Sequence, residues 1–357
     1  MLRLSHVLSR TAGAFDLAVS GSITKRTPAA KSRSKAENLG HEDRMRALES
    51  IRRAYEPFEG DDAAFFGAPV VRALRVDARD THTSRGVRYE RVDVRWPSRT
   101  DTAIPELRDR FHATVENREA AARLFRAQKG GAPRPLAILI HGYRAGQYGV
   151  EQRVWPVSWL LDKGFDVALH VLPFHAVRAA QGTARFPSSD PRITNEGFRQ
   201  AIGDLRDLVA TARAEGAPHV IVLGMSLGGY TASLLATIER VDFVAPIIPL
   251  ASFADIALEN ERLVGSETEQ RAQHAALERA HAVVNPFARK PAIDPRRMIV
   301  AGALGDRICP IRHAERLASH FDASLVTFTG GHILQIGRRD AFKAIGARLR
   351  ELAIGSF

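Results

Sequence analysis

Hydrophobic positions follow two alternating patterns in most of the chain. Short apolar runs of the kind found in buried strands are followed by segments in which apolar residues recur every three or four positions, as on one face of a helix. The predicted strands beyond residue 135 are 136–140, 167–172, 220–223, 243–248, 298–301 and 325–328. Strands that alternate with helices in this way pair in parallel. The pattern therefore predicts an α/β fold, with a mostly parallel central sheet and helices on both faces.

The first part of the chain has a different pattern. Residues 1–40 hold seven Lys and Arg against two Asp and Glu, a net charge of +5, and from residue 20 onward they have no apolar period. These features predict a basic, flexible leader. Leu4, Leu8, Thr11 and Phe15 nevertheless fall near one helical face. This start of the chain is therefore interpreted as an amphipathic helix, which either packs on the main domain or lies on a membrane surface.

A helical pattern begins directly after this leader. Apolar residues recur at helical spacing and the run ends at Pro57, and the residues concerned are Met45, Leu48, Ile51 and Tyr55. We therefore expect an N-terminal helical extension over residues 41–86.

The main domain is predicted over residues 87–357. It opens with an alternating segment, 87–96, that is typical of a strand, whereas 121–127 is too mixed for a prediction. Residues 256–295 interrupt the alternation with polar, helix-forming sequence and no strand. So long an insertion is interpreted either as a lid or as a pair of surface helices.

Composition and charge narrow the classes of function. Of the 357 residues, 45% are apolar and 25% are charged, which is typical of a globular protein. Cys309 is the only cysteine, so an internal disulfide is excluded and a cytoplasmic location is predicted. We find neither a membrane-spanning apolar run nor a clear secretory signal.

The net charge of +11 favours weak association with anionic membranes. Nucleic-acid binding is not expected, because the basic segment 25–35 contains no aromatic residue to stack on a base.

A Gly-x-Ser-x-Gly motif follows the predicted strand 220–223. Gly224, Ser226 and Gly228 stand between this strand and an Ala- and Leu-rich helix. Such a sharp turn exposes its central side chain and needs very small residues two positions before and after it, because neighbouring segments approach closely. Ser226 is therefore the candidate nucleophile.

A serine hydroxyl is a weak nucleophile unless a base and an orienting acid lie beside it. Asp306 follows the predicted strand 298–301, and His332 follows the predicted strand 325–328. The carboxyl ends of parallel strands meet at one edge of the sheet, so both side chains are expected near Ser226. Asp255, which follows another predicted strand, is the alternative acid.

At this point the sequence resembles the α/β-hydrolase superfamily, and especially its serine esterases and lipases. The resemblance covers roughly residues 87–355. It is carried by the Gly-x-Ser-x-Gly turn, by the His-Gly pair at His141 and by the order Ser, Asp, His along the chain.

The resemblance implies a role for each matching residue. Ser226 would attack an acyl carbonyl, His332 would accept and return the proton, and Asp306 would orient the imidazole. The backbone N–H groups of Leu227 and Tyr143 would form the oxyanion hole.

Three further residues are candidates for substrate contact. These are His141, Phe174 and His175, although His141 is expected mainly to support the oxyanion loop and His175 has a packed histidine as its alternative interpretation. No His-Glu-x-x-His motif, nucleotide-binding glycine motif or phosphate-binding loop is present, so neither a metal nor a cofactor is predicted.

These features predict a serine hydrolase that cleaves a carboxylic ester of a small molecule or lipid through a covalent acyl-enzyme on Ser226. Acyl transfer to an alcohol or thiol by the same residues is an alternative. A second alternative is a membrane-associated binding protein that retains a hydrolase fold without turnover.

Overall fold

The computed structural model describes Ser9, Ala12, Gly13, Asp16 and residues 39–84, 86–127, 132–180 and 186–357. Most of the predicted leader lies outside these described residues. So does the apolar face predicted for its helix, which consists of Leu4, Leu8, Thr11 and Phe15.

The described strands form one nine-stranded sheet with the order β1-β2-β3-β5-β4-β6-β7-β8-β9. The strands are β1 (Arg75–Ser84), β2 (Val87–Pro97), β3 (Glu119–Ala127), β4 (Leu136–Ile140), β5 (Asp166–Val171), β6 (Val220–Met225), β7 (Phe243–Ile247), β8 (Ile299–Ala303) and β9 (Ser324–Phe328). Strands β1, β2, β3 and β5 pair antiparallel in that order, and all pairs from β5 to β9 are parallel. The prediction of a mostly parallel sheet is confirmed. Each of the six strands predicted beyond residue 135 is present within two residues of its expected bounds.

Helices connect most of these strands, and two helices precede β1 within residues 39–84. From residue 39 onward, the helices of the described residues are α1 (His41–Tyr55), α2 (Asp62–Phe66), α3 (Arg108–His112), α4 (Tyr148–Val154), α5 (Val157–Asp162), α6 (Pro191–Ala214), α7 (Leu227–Leu235), α8 (Phe253–Glu259), α9 (Glu267–Ala280), α10 (Ile311–Phe321) and α11 (Arg338–Glu351). None of the helices among the described residues is long and apolar enough to cross a membrane.

Two hydrophobic cores lie on opposite faces of the sheet. Successive strand residues point to opposite faces, so Val222 of β6 joins the core under α6, α7 and α10, while Ile221 joins the core under α5 and α11. Both residues are fully buried. The predicted helical cover on both faces is therefore confirmed, and it explains why the central strands are apolar throughout.

Two strands differ from the sequence expectations. The extension predicted as helical over 41–86 holds α1 and α2, but it ends in β1, an edge strand whose side chains are mostly exposed. An exposed edge strand needs no apolar alternation, so its sequence lacked the pattern of a strand. The unassigned segment 121–127 belongs to β3, where small alanines are buried between β2 and β5.

The insertion over residues 256–295 contains most of α8, all of α9 and two short 3-10 turns, Ala282–Val284 and Pro286–Ala288. Helix α9 packs against α8 and against α1 of the N-terminal extension. Its role as a lid stays a prediction.

Candidate active site

The turn between β6 and α7 carries Ser226 in a strained backbone conformation. Its φ is 54° and its ψ is −113°, which side-chain-bearing residues rarely adopt. The flanking glycines make this turn possible: a Cβ at position 224 would overlap the carbonyl oxygen of Gly228, and one at position 228 would overlap the carbonyl oxygen of Ile140. The turn thereby holds Ser226 at the carboxyl end of β6, directly before α7.

The structure brings Ser226, His332 and Asp306 into one chain of hydrogen bonds. The Oγ of Ser226 lies 2.9 Å from the Nε2 of His332, and the Nδ1 of His332 lies 2.7 Å from the Oδ2 of Asp306. An ionised carboxylate only accepts hydrogen bonds, so we assign the ring proton to Nδ1. Nε2 is then free to accept the serine proton.

The carboxylate of Asp306 is fully buried and doubly anchored. Its Oδ1 accepts the backbone N–H groups of Ile308 at 2.8 Å and Cys309 at 2.7 Å. These bonds fix the side chain within its own loop and leave Oδ2 facing the imidazole.

Asp255, the alternative acid, is engaged elsewhere. Its Oδ1 lies 2.7 Å from the Nε2 of His274, and its Oδ2 accepts a hydrogen bond from Arg316 at 2.7 Å. Burial alone would raise the pKa of this carboxyl, but the hydrogen bond with His274 and the positive charge of Arg316 together hold the pKa below its usual range. The structure therefore joins His332 to Asp306 and not to Asp255.

The residues predicted for the oxyanion hole lie around Ser226. Leu227 is the first residue of α7, so its N–H has no acceptor within the helix. Tyr143 follows Gly142, where a Cβ would stand only 3.4 Å from the Cβ of Ser226. The loop after β4 therefore passes directly beside the serine.

His141 supports this loop, and both of its ring nitrogens are engaged in hydrogen bonds within the protein. Its Nδ1 donates to the carbonyl of Gly142 at 2.7 Å, and its Nε2 accepts the N–H of Leu172 at 3.0 Å. Burial lowers the pKa of His141 well below its usual range, so the ring is neutral. Gly146, with a φ of 101°, packs on the ring so closely that a Cβ would stand 2.6 Å from its Nε2. We therefore assign His141 to positioning the loop and not to substrate contact.

Phe174 and His175 are packed in the interior. Phe174 lies edge-on against Phe111 and is 3% exposed. His175 is 1% exposed, and its Nδ1 donates to the carbonyl of Pro173 at 2.9 Å. Burial lowers the pKa of His175 to about 4, so this ring is also neutral. Packing is the interpretation of both residues that the structure favours.

Sequence reasoning missed one buried carboxylate at this site. Asp16 lies in the predicted leader, yet it accepts the backbone N–H of His332 at 2.6 Å. Neither residue type nor spacing marks it, because the contact joins positions more than 300 residues apart.

Comparisons with known proteins give relatives of two kinds. No family model matches the sequence. An uncharacterized protein of Mycobacterium tuberculosis, found in strains CDC 1551 / Oshkosh and ATCC 25618 / H37Rv, is 30% identical over 229 residues, which cover 61% of this chain and 54% of that protein. The chain thus spans about half the length of the curated relatives it matches.

Two solved structures resemble the whole architecture. The acetyl xylan esterase from Paenibacillus sp. R4 superposes with a TM-score of 0.56 at 16% identity, covering 82% of this chain and 94% of that one. Acetyl xylan esterase 1 from Thermoanaerobacterium sp. JW/SL YS485 gives 0.54 at 15% identity, covering 85% and 98%. At this identity the likeness speaks for the fold, and the chain has the α/β-hydrolase fold.

Proposed function

We propose that the protein is a serine hydrolase that cleaves a carboxylic ester through a covalent acyl-enzyme on Ser226. The observation that carries the proposal is the continuous hydrogen-bonded chain from the Ser226 Oγ through His332 to the buried Asp306. The names of the two similar structures, both acetyl xylan esterases, support ester hydrolysis on this fold.

In the first step the Ser226 oxygen attacks the carbonyl carbon of the ester. His332 Nε2 takes the hydroxyl proton as the new C–O bond forms. The π electron pair of the substrate C=O bond moves onto the carbonyl oxygen, which becomes the oxyanion. When the tetrahedral intermediate collapses, the bond to the leaving alkoxide breaks and His332 returns the proton to it. The alcohol departs and the acyl group stays on Ser226.

In the second step a water molecule replaces the alcohol. His332 takes a proton from the water, whose oxygen attacks the acyl-enzyme, and the same proton then returns to Ser226. The products are a carboxylic acid and free enzyme. Asp306 holds the Nδ1 proton of His332 throughout and stabilises the imidazolium that forms in each step.

The developing oxyanion needs donors that are already in place. The N–H groups of Leu227 and Tyr143 are proposed for this role, since one begins a helix directly after the serine and the other lies in the adjoining loop. Loss of one such donor typically costs about 2.7–4 kcal/mol of transition-state stabilisation.

The substrate class is proposed from the side chains that flank the site. Tyr143 is 49% exposed, and Ile333 and Leu334, directly after His332, are 45% and 42% exposed. These three apolar side chains favour an ester with an apolar group, either a small molecule or a lipid, over a highly charged one. Weak association with anionic membranes and a cytoplasmic location stay predictions.

The proposal is tested with Ser226→Ala and a matched surface variant, Ser324→Ala, on nitrophenyl esters of increasing acyl length. We expect Ser226→Ala to lose about 10⁴-fold or more in turnover while remaining folded, and Ser324→Ala, at an exposed position of β9, to match the parent. A folded Ser226→Ala variant with parental turnover contradicts the proposal. Product analysis with added alcohol or thiol separates hydrolysis from acyl transfer.

A further inference from the structure

A helical face near the start of the chain, made of three small residues and one aspartate, lies against the loops that carry Asp306 and His332. Ser9, Ala12, Gly13 and Asp16 are all helical. Their spacing of three, four and seven residues places them on one face of a helix. We call these four residues the leader face.

The leader face touches the two loops backbone to backbone. A Cβ on Gly13 would stand 2.8 Å from the carbonyl oxygen of Gly305, and one on Gly305 would overlap the carbonyl oxygen of Ser9. A Cβ on Gly331 would stand 3.1 Å from the carbonyl oxygen of Ala12. Glycine at these three positions therefore allows the helix to approach the loop after β8 and the loop after β9 together.

Asp16 supplies the polar contacts at the end of this face. Its carboxylate is buried, and it accepts the backbone N–H of His332 at 2.6 Å on Oδ2 and that of Ile333 at 2.9 Å on Oδ1. A longer bond of 3.4 Å joins Oδ2 to the N–H of Arg307. One side chain thus contacts the backbone of Arg307, next to the candidate acid, and the backbone of the candidate base.

Among the described residues, main-chain bonds hold other parts of these loops but not His332, whose carbonyl instead accepts a hydrogen bond of 2.9 Å from the side chain of Gln335. Gly305 N–H donates to the carbonyl of Gly330 at 2.9 Å, and Gly330 N–H donates to that of Ile336 at 2.7 Å. The N–H groups of His332 and Ile333 donate to Asp16 instead. The position of the histidine backbone relative to β8 and β9 therefore depends on a carboxylate from the start of the chain.

We propose that Asp16 is a positioning residue for turnover, which fixes the His332 backbone so that the imidazole spans Ser226 and Asp306. This inference rests on the proposed serine-hydrolase function. Asp16 contacts the loop backbone and not the reacting atoms, so its effect falls on the geometry of proton transfer. Displacement of a catalytic group by about 1 Å can cost about 100-fold in rate.

The test compares Asp16→Asn with the parent in the full chain. Both carboxylate oxygens accept N–H groups, so either orientation of the amide turns an NH2 group toward a donor. We expect kcat to fall about 10- to 100-fold and fluorophosphonate labelling of Ser226 to slow in parallel, with KM within about twofold of the parent.

Gly13→Ala provides a second variant that keeps the carboxylate. Its Cβ would press on the Gly305 carbonyl and lift the leader face, so kcat is expected to fall in the same direction. Counting active sites by fluorophosphonate labelling at completion puts every kcat on the basis of folded enzyme, so a variant of low yield still gives a result.

Ser9→Ala is the matched control. It removes a hydrogen bond of 2.7 Å from the same face, but to the carbonyl of Thr329 and not to the histidine. We expect kcat within about twofold of the parent. The inference is overturned if Asp16→Asn keeps parental kcat per labelled site, or if Ser9→Ala loses as much as Asp16→Asn does. Failure of the proposed function looks different, since the parent itself would then neither turn over nor label at Ser226.

Discussion

At the scale of single residues, Asp306 divides its two carboxylate oxygens between two tasks. Oδ1 anchors the side chain to the N–H groups of its own loop, while Oδ2 faces the Nδ1 of His332. Because its own loop fixes the carboxylate, Oδ2 is held in place to orient the imidazole of His332. It also provides a substitution that removes one task and keeps the other.

Asp306→Asn retains one oxygen for the loop and presents an NH2 group to the histidine. An NH2 group cannot accept a hydrogen bond from Nδ1–H, so the favoured tautomer of His332 carries its proton on Nε2. In that tautomer Nε2 can no longer take a proton from Ser226. We expect kcat to fall about 10³- to 10⁴-fold, with thermal unfolding close to the parent. Steady-state kinetics and a melting curve measure both.

Asp255→Asn serves as the control for this substitution. Its carboxylate contacts His274 and Arg316, outside the chain that reaches Ser226. Parental kcat is expected. If Asp255→Asn lost more activity than Asp306→Asn, the assignment of the orienting acid would be wrong.

Sequence patterns were informative about these residues because each follows a strand. Ser226, Asp306 and His332 could be selected since parallel strands end at the same edge of the sheet. Phe174 also follows a strand, but it turns inward onto Phe111, and His175 bonds its own loop. Side-chain direction within a loop depends on packing, which the local sequence does not determine.

At the scale of elements, the turn between β6 and α7 depends on backbone contacts that exclude side chains. Gly228 lies against the carbonyl oxygens of Ile140 and His141, at the end of β4. This contact sets how closely α7 approaches the oxyanion loop. A Cβ at position 228 would meet backbone atoms, so it could be accommodated only by a shift of α7 or of the end of β4, and not by a change of side-chain rotamer.

Gly228→Ala is predicted to damage both stability and activity. Its Cβ would overlap the Ile140 carbonyl, and overpacking of this kind typically costs about 1–3 kcal/mol of the free energy of unfolding. We expect the urea midpoint to fall by a corresponding amount, and kcat to fall because the oxyanion loop is displaced.

Gly149→Ala is the matched glycine variant in the same region. A Cβ there meets nothing within 4 Å, and the residue lies in α4. Alanine in a helix is favoured over glycine by roughly 0.5–1 kcal/mol, so the midpoint is expected to stay or rise slightly. Equal losses in both variants would contradict the role given to the close contact.

Element prediction succeeded where burial was strong and failed where it was weak. The central strands β4 and β6 are buried throughout and were recognisable as apolar runs. Strand β1 lies at the edge of the sheet, and most of its side chains are exposed, with Arg79 and Asp80 in ion pairs with residues of β2. Such a strand is formed by pairing with β2, which leaves no pattern in its own sequence.

At the scale of the whole molecule, buried neutral histidines link stability to pH. His170 and His281 are buried, as are His141 and His175 near the site. Burial lowers the pKa of His170 to about 3, with a smaller contribution from the positive charge of Arg178, and lowers that of His281 to about 4. These rings stay neutral in the folded protein at pH values where the unfolded chain takes up protons.

The sign of the effect follows from proton binding. Between the folded pKa of about 3 and the unfolded value of about 6.5, the unfolded state binds the proton of His170 and the folded state does not. The contribution of this residue to stability is therefore fully present above about pH 6.5. It is lost progressively as the pH falls toward about 3.

His170→Leu removes this titrating group from between Trp96 and Arg178. As the pH falls from about 6 to about 4, the free energy of unfolding of the variant minus that of the parent is predicted to rise by about 1.4 kcal/mol for each unit of pH decrease. Buried Glu196 and Asp204, whose pKa values are raised by burial, act with the opposite sign but are present in both proteins and cancel. Parallel urea titrations across this range measure the difference, and a constant difference would show that His170 is protonated in the folded state.

The most direct test of the central claim is to locate a covalent adduct on the protein. After reaction with a fluorophosphonate and digestion with trypsin, residues 214–240 form one peptide that contains both Ser226 and the buried Ser233. We predict one adduct per chain, on Ser226, with none on Ser233 and much slower labelling in the Asp306→Asn variant. A folded parent protein that carries its adduct on another residue, or forms none, would contradict the account.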